Sequence, residues 1–380
     1  MRILAIETSC DDTGIAVLEV SGGKVPSFNV LSNVVSSQEI HKNYGGVFPI
    51  MAKREHQNNL VPVLTKALQE AKLIKNKKIV LKNKELATLK TILEKESKLF
   101  DRVKEFLENH EKPDVDAIAV THGPGLEPCL WVGVNFAKAL SYYWNIPVIP
   151  VNHIEGHILV NFLQNQKIEF PAISLIVSGG HTQLILVKGV GKYKIIGETK
   201  DDAAGECFDK AARILGLPYP GGPIISQIAA KANNVPQHFT LPRPMMHTND
   251  YDFSFSGLKT AVLYKLRDTN PETAKTEGFI QEMCVQIQQA IIDVLIKKTI
   301  NAARAYKAET IILGGGVSAN SELRSQFELK IKNSKFKILF PEKNLSTDNG
   351  LMIAIAGYFN RTKKIAWQKL SVDANLRISK

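Results

Sequence analysis

The sequence predicts an α/β protein built from two related lobes. Three observations carry that expectation. The chain has 380 residues, more than one ordinary core accommodates. Its composition, 44% hydrophobic and 22% charged, is that of a globular chain and not a disordered one. One pattern, a strand followed by a glycine turn and then a strand or helix, occurs in both halves, which suggests a duplicated lobe with a ligand between the copies.

Taken in order, residues 2–7 (RILAIE) and 14–20 (GIAVLEV) read as strands joined by a polar turn from Thr8 to Thr13. VDAIAVTHG (115–123) is a third strand, followed by GPGL, the helical run VGVNFAKALSYYW and the strand PVIPV at 147–151. ISLIVS (173–178) and QLILVKG (183–189) are strands flanking a Gly-Gly turn. TIILG (310–314) is a strand that enters a glycine loop and then the helix ANSELRSQFELKI. Residues 72–112 look inserted, with twelve Lys/Arg against seven Asp/Glu. Within them Leu86, Leu89, Leu93, Phe100, Val103 and Leu107 recur at helical spacing, which predicts an amphipathic helix from about 85 to 109. A solvated helical hairpin with one apolar face is the plainer account of the same pattern.

The net charge of +11 favours a polyanionic partner such as nucleic acid, although a surface rich in solubilising lysine gives the same number. Cys10, Cys129, Cys207 and Cys284 are far apart in sequence and form no CxxC pair, so they read as buried or incidental thiols. No continuous apolar run approaches the roughly 20 residues of a membrane span, and the first residues read as a strand and not a signal peptide. The expectation is a cytoplasmic protein with no membrane partner.

Several residues have the chemistry for a site. His153 and His157, four apart in VNHIEGHIL, share a face if helical and would offer two imidazoles to one metal, a spacing that also arises by chance. Asp348, in STDNG before the apolar LMIAIAG, is the candidate third ligand. Two histidines and a carboxylate with open positions suit Fe(II) or Zn(II). Gly179 and Gly180 in SGGHTQ either let backbone amides approach an anion or form a plain hairpin turn. GGGVSAN (314–320) leads into a helix N-terminus that favours a phosphate or nucleotide edge, with Asn320 able to bond a sugar or base. Glu206 and Asp209 are one turn apart and suit ribose hydroxyls, or are solvated helix acids. Asp11 and Asp12 lie in the first turn, as a base or metal-water anchor or as ordinary turn formers.

ETSCDDTGIAV, HKNYGGVFPIMAKREH, GPGLEPCLWVGV, NHIEGH, LIVSGGHTQL, DDAAGECFDKAARILGLPYPGGP, DFSFSGLKT, GGGVSAN and STDNGLMIAIAG resemble, in order, the signature blocks of the TsaD family. The resemblance runs from residue 1 to about 358, broken by the basic 72–112 segment. It departs at Ile50, where many members have Glu, at Asp12, which replaces a common Glu, and in the CLWVG spelling.

The resemblance implies the two-lobed α/β fold shared by actin, Hsp70 chaperones and sugar kinases, with a ligand cleft between the lobes. It implies an acyltransferase that moves a threonylcarbamoyl group from L-threonylcarbamoyl-adenylate to N6 of the adenosine 3′ of the anticodon. The tRNAs concerned read codons beginning with adenine, and AMP is released. The implied metal ligands are His153, His157 and Asp348, for Fe(II) or Zn(II). The implied substrate contacts are Ile176, Val177, Ser178, Gly179, Gly180, Asp209, Gly222 and Asn320, and Asp11 matches an active-site carboxylate. The implied partners are tRNA and the subunits TsaB and TsaE. The expected division is an N-terminal lobe over 1–150 carrying the insert, a C-terminal lobe over 151–354 with the metal and nucleotide site, and a C-terminal helix and tail over 355–380 packing back on the N-terminal lobe. Three other readings stand beside this one: an ATP-dependent small-molecule kinase, a metalloprotease, and a non-catalytic scaffold of a tRNA-modification complex. A zincin needs Glu directly after its first histidine, and here Ile154 follows His153.

Overall fold

The computed structural model describes residues 1–22, 26–164, 168–232 and 237–379. Its strands are β1 (Arg2–Glu7), β2 (Asp12–Ser21), β3 (Ser27–Ser37), β4 (Ala117–Gly123), β5 (Val148–Asn152), β6 (Ala172–Val177), β7 (Thr182–Gly189), β8 (Lys192–Glu198), β9 (Thr310–Gly314) and β10 (Lys337–Leu339). The first six helices are α1 (Pro49–Glu70), α2 (Asn83–Ile92), α3 (Ser97–Asn109), α4 (Glu127–Trp144), α5 (His153–Leu159) and α6 (Ala204–Ile214). The remainder are α7 (Gly221–Lys231), α8 (Ser256–Arg267), α9 (Pro271–Ala274), α10 (Glu277–Ala305), α11 (Ser321–Ile331) and α12 (Gly350–Phe359).

These elements form two compact units, each with its own core. The first comprises Met1–Glu39, Val47–Gln166 and Asp348–Ile378, and the second Ile40–Gly46, Lys167–Thr347 and Ser379–Lys380. Their sheets repeat one topology. The first runs β3-β2-β1-β4-β5 and the second β8-β7-β6-β9-β10. In each, a meander of three antiparallel strands continues through two parallel strands on the far side of the first strand. The duplication expected from the glycine-turn pattern is therefore present at the level of strand order.

The unit boundaries differ from a division at 150. Compactness places 151–166, with both histidines, and 348–378, with Asp348, in the first unit. The reason lies in α12. Every residue from Gly350 to Tyr358 is buried, so the helix needs a partner on each side, and it packs on β1, β2, β4 and α5. Glycines set the approach: a Cβ on Gly350 would lie 2.5 Å from Ala16 N, and one on Gly357 would lie 2.6 Å from Ala119 Cβ. After α12 the chain makes short turns and an isolated bridge to β5, with Val148 N donating to Ile365 O at 3.1 Å and Ile365 N to Val148 O at 2.9 Å.

The insert is two helices joined by a turn, the helical hairpin of the plainer account, and not one helix from about 85 to 109. The chain turns at 93–96 between α2 and α3, which lets the apolar faces of both reach the same core through Leu89, Leu93, Leu99, Val103, Phe106 and Leu107. Glu96 is buried at the turn, where its Oε2 accepts Asn135 Nδ2 at 3.1 Å and its Oε1 lies 3.6 Å from Lys53 Nζ. By length and composition α10 would pass for a membrane span, although polar residues punctuate its apolar positions. It is mostly buried as the central helix of the second unit, and its Lys298, 2% exposed, donates to Thr248 Oγ1 at 2.9 Å and Asp250 Oδ1 at 3.1 Å. Cys129, Cys207 and Cys284 are buried free thiols and Cys10 is half-buried, as expected of incidental cysteines.

The contact at Gly357 has a direct test. Gly357→Ala should destabilise the first unit by about 1–3 kcal/mol through overpacking against Ala119, lowering the thermal midpoint by several degrees. An unchanged midpoint in a calorimetric scan would mean that α12 can shift away from the sheet.

Candidate metal centre and anion loops

The site of the first unit begins at the end of β5. Asn152 stops the strand and caps α5, its Oδ1 accepting from Ile154 N at 2.9 Å and Glu155 N at 3.2 Å. His153 and His157 then fall one helical turn apart, with ring centroids 4.7 Å apart and planes at 87°. Asp348 arrives from the other end of the chain. It immediately precedes Asn349, whose Oδ1 caps α12 by accepting Met352 N at 3.0 Å.

Asp348 Oδ1 lies 3.2 Å from His157 Nε2 and 3.5 Å from His153 Nε2. One ligand atom from each of the three residues fits within a 4.8 Å group. Metal–nitrogen and metal–oxygen bonds of about 2.0–2.1 Å place two ligands of one tetrahedral ion about 3.3 Å apart. The two observed separations bracket that value, so the donor set fits a divalent transition ion. Both imidazoles are buried, and among the described residues His157 Nδ1 has no hydrogen-bond partner.

Negative charge is concentrated here. Burial works to lower the His153 pKa, yet Asp348 and Glu7 outweigh it and raise it to about 9. Burial, and then the charge of Asp348, push the Asp12 carboxyl up to about 7. The Cys10 thiol is raised well above its ordinary value by burial and by Asp11 and Asp348. A bound cation would reverse these pressures. Asp11 and Asp12 thus share the electrostatic environment of Asp348. Asp12 opens β2 opposite Ser37 on β3.

Two residues at this site are not singled out by the sequence. Buried His56 on α1 braces the first turn, Nδ1 lying 2.8 Å from Thr13 Oγ1 and Nε2 2.9 Å from Cys10 O. Glu7, wholly buried at the end of β1, has Oε1 accepting Ser9 N at 2.5 Å, Oε2 accepting Thr121 Oγ1 at 2.5 Å, and Oε2 3.3 Å from His153 Nδ1. Its only sequence signal is a charge closing an apolar strand.

The expected substrate residues lie in the second unit, around the carboxyl ends of β6 and β9. These strands are parallel neighbours with Ile176 opposite Gly314, so their loops emerge side by side. Gly315 has φ +85°, and a Cβ there would lie 2.4 Å from Val177 O. The first turn of α6 docks on the other loop, Gly205 N donating to Ser178 O at 3.1 Å and Ala204 N to Thr182 Oγ1 at 2.8 Å. Ile176 and Val177 are wholly buried, so their side chains serve the core.

Gly179 and Gly180 behave differently. They are exposed, and a Cβ on either would meet nothing within 4 Å. The protein's own packing does not require glycine there, whereas a ligand approaching the backbone closely would. Asp209 Oδ1 accepts Gly221 N at 2.7 Å, joining α6 to the start of α7 beside Gly222. Glu206 serves its own helix, Oε2 accepting Ala203 N at 3.4 Å and Oε1 pairing with Lys210 at 2.9 Å. Asn320 caps α11 through Leu323 N at 3.0 Å and donates to Gln288 Oε1 at 2.9 Å, so its amide already has structural partners.

The family model for TsaD, tRNA N6-adenosine threonylcarbamoyltransferase, matches residues 29–80 and 96–355, leaving part of the insert outside. A protein of that name from Chromobacterium violaceum is 42% identical over 359 residues, covering 94% of this chain and 92% of its own. Another from Thermosipho africanus is 42% identical over 377 residues, covering 99% and 98%. Among solved structures, full-length HypF in its phosphate- and nucleotide-bound form gives a TM-score of 0.55 at 12% identity, over 95% of this chain and 46% of that one. Component A of the Acidaminococcus fermentans (R)-2-hydroxyglutaryl-CoA dehydratase gives 0.50 at 12% identity, over 96% and 99%. At such identity these two likenesses show the fold alone, the expected two-lobed α/β fold. With a family model running through both units and relatives aligned nearly end to end, the chain belongs to the TsaD family of tRNA N6-adenosine threonylcarbamoyltransferases.

Proposed function

We propose that this chain transfers the threonylcarbamoyl group of L-threonylcarbamoyl-adenylate to N6 of the adenosine 3′ of the anticodon, in tRNAs reading codons that begin with adenine. The observation that supports it most is the His153–His157–Asp348 cluster in a chain matched by the TsaD model across most of its length. N6 attacks the carbamoyl carbon, the bond from that carbon to the phosphate oxygen breaks, AMP leaves, and N6 gives up one proton. The acyl group is already activated, so the protein's task is placement and charge neutralisation more than nucleophilic catalysis.

In this reading His153, His157 and Asp348 hold one divalent ion, Fe(II) or Zn(II), which when bound supplies Lewis acidity toward the phosphate and carbamoyl oxygens. The backbone from Ile176 to Gly180 and the loop to Asn320 hold the phosphate and nucleotide. Asp209 and Gly222 take the ribose side. Asp11 is the candidate base for the N6 proton. The net charge of +11 favours the tRNA polyanion, and a tRNA substrate places the work in the cytoplasm. TsaB and TsaE are the proposed partner subunits. A protease role is disfavoured, since Glu155 accepts Asn360 Nδ2 at 2.7 Å at the end of α12.

Purified chain with threonylcarbamoyl-adenylate, unmodified tRNA and partner subunits should yield threonylcarbamoyladenosine in digested tRNA by mass spectrometry. His157→Ala and Asp348→Ala should yield none and should retain less than a tenth of the wild-type metal content. Product from all three proteins would discard the metal assignment, and no product from wild type would discard the transfer. Stripping the ion from wild type with a chelator should lower its thermal midpoint, since a ligand bound only by the folded chain stabilises it. Gly179→Val should change stability by about 0.5 kcal/mol or less, as an exposed substitution away from packing does. Yet it should raise the KM for the adenylate at least tenfold. A KM equal to wild type would remove the loop from the site.

A further inference from the structure

We propose that Glu7 is the positioning residue of the metal centre: its carboxylate accepts a hydrogen bond from His153 Nδ1–H and so leaves the Nε2 lone pair for the ion. The inference rests on His153, His157 and Asp348 being metal ligands.

Glu7 is wholly buried, and among the described residues no lysine or arginine pairs with it. A buried carboxylate is costly unless its oxygens are met by donors or positive charge. The main-chain N–H of Ser9 occupies Oε1 at 2.5 Å and the Thr121 hydroxyl occupies Oε2 at 2.5 Å. Those two bonds fix the carboxylate in place. They also leave one function for Oε2 that neutral donors do not explain, its approach to His153 Nδ1 at 3.3 Å.

A neutral imidazole carries its proton on one nitrogen and offers the other as a ligand. His153 Nε2 is the atom that faces Asp348 Oδ1, at 3.5 Å, so a ligand role requires the proton on Nδ1. Ser9 Oγ, 3.1 Å from Nδ1, can either donate or accept and does not by itself choose the tautomer. An ionised carboxylate only accepts. Glu7 therefore decides which nitrogen bears the proton, and Ser9 supplements it. Carboxylates that take the outer proton of a ligating histidine typically contribute 10–100-fold in metal affinity. The fold builds the arrangement from three adjacent strands, since Glu7 ends β1, Thr121 is on the neighbouring β4, and His153 follows β5.

The test compares full-length wild type, Glu7→Gln and Ser9→Ala for Co(II) affinity by competition with a chelator. The thermal midpoint of each metal-free protein is recorded alongside. Gln keeps the shape of Glu, but its amide nitrogen would donate to Nδ1 and move the ring proton to Nε2. Glu7→Gln should lose 10–100-fold in Co(II) affinity, and Ser9→Ala should stay within about threefold of wild type. Equal affinity in Glu7→Gln and wild type would overturn the proposal alone, while a wild type that binds no Co(II) would overturn the metal reading with it. The second measurement needs no variant at the carboxylate. In Zn(II)-loaded wild type, ring ¹⁵N spectra should show a downfield, slowly exchanging Nδ1–H for one histidine that disappears in His153→Ala. A His153 bound through Nδ1, or one with no such proton, would equally overturn the proposal.

Discussion

Helix α12 has no polar face, and the corner where His153, His157 and Asp348 meet depends on that fact. A helix buried on every side must be enclosed, and the first unit encloses it with β1, β2, β4 and α5. Backbone comes within contact distance only because Gly350 and Gly357 lack side chains. Asp348, two residues ahead of this helix, is thereby delivered to two histidines separated from it by slightly more than half the chain. The result is a desolvated, acidic corner in which burial raises the Asp12 carboxyl, while Asp348 and Glu7 raise His153 against the pull of burial.

The repeated strand order lets one architecture carry two kinds of chemistry. In the first unit the turn between β1 and β2 and the segment after β5 supply carboxylates and imidazoles. In the second unit the corresponding turn between β6 and β7 supplies bare backbone at Gly179 and Gly180. Side-chain donors suit an ion, whereas exposed main-chain amides suit an oxyanion. The duplicated lobe has diverged in its turns while keeping its ladders.

Much of this was legible in the sequence, and the limits have physical causes. The apolar runs ILAI in β1 and IIL in β9 follow from strands covered on both faces, and a polar turn ends the first while a glycine loop ends the second. His153 and His157 announce themselves by helical spacing. Glu7 does not, because a charge at the end of an apolar strand looks the same whether it faces water or a histidine. His56 is hidden in a long helix for the same reason. Periodicity in the insert fits one long helix and a helical hairpin alike, because it continues across the four-residue turn at 93–96 where Glu96 is buried. The unit boundary near 166 depends on which helix covers which sheet, and no local pattern encodes that.

The discontinuity of the first unit has a consequence for how the protein is made. A ribosome delivers β1 to β5 and both histidines early, then the whole of the second unit, and only afterwards Asp348 and α12. Until then the sheet surface reserved for α12 stays open, and the His153–His157–Asp348 cluster lacks its carboxylate. Completion of the first unit therefore waits until the second unit has been synthesised. A chain stopped before Asp348 carries both imidazoles but lacks the third side chain of the His153–His157–Asp348 cluster, so that cluster reports that synthesis has passed through both units.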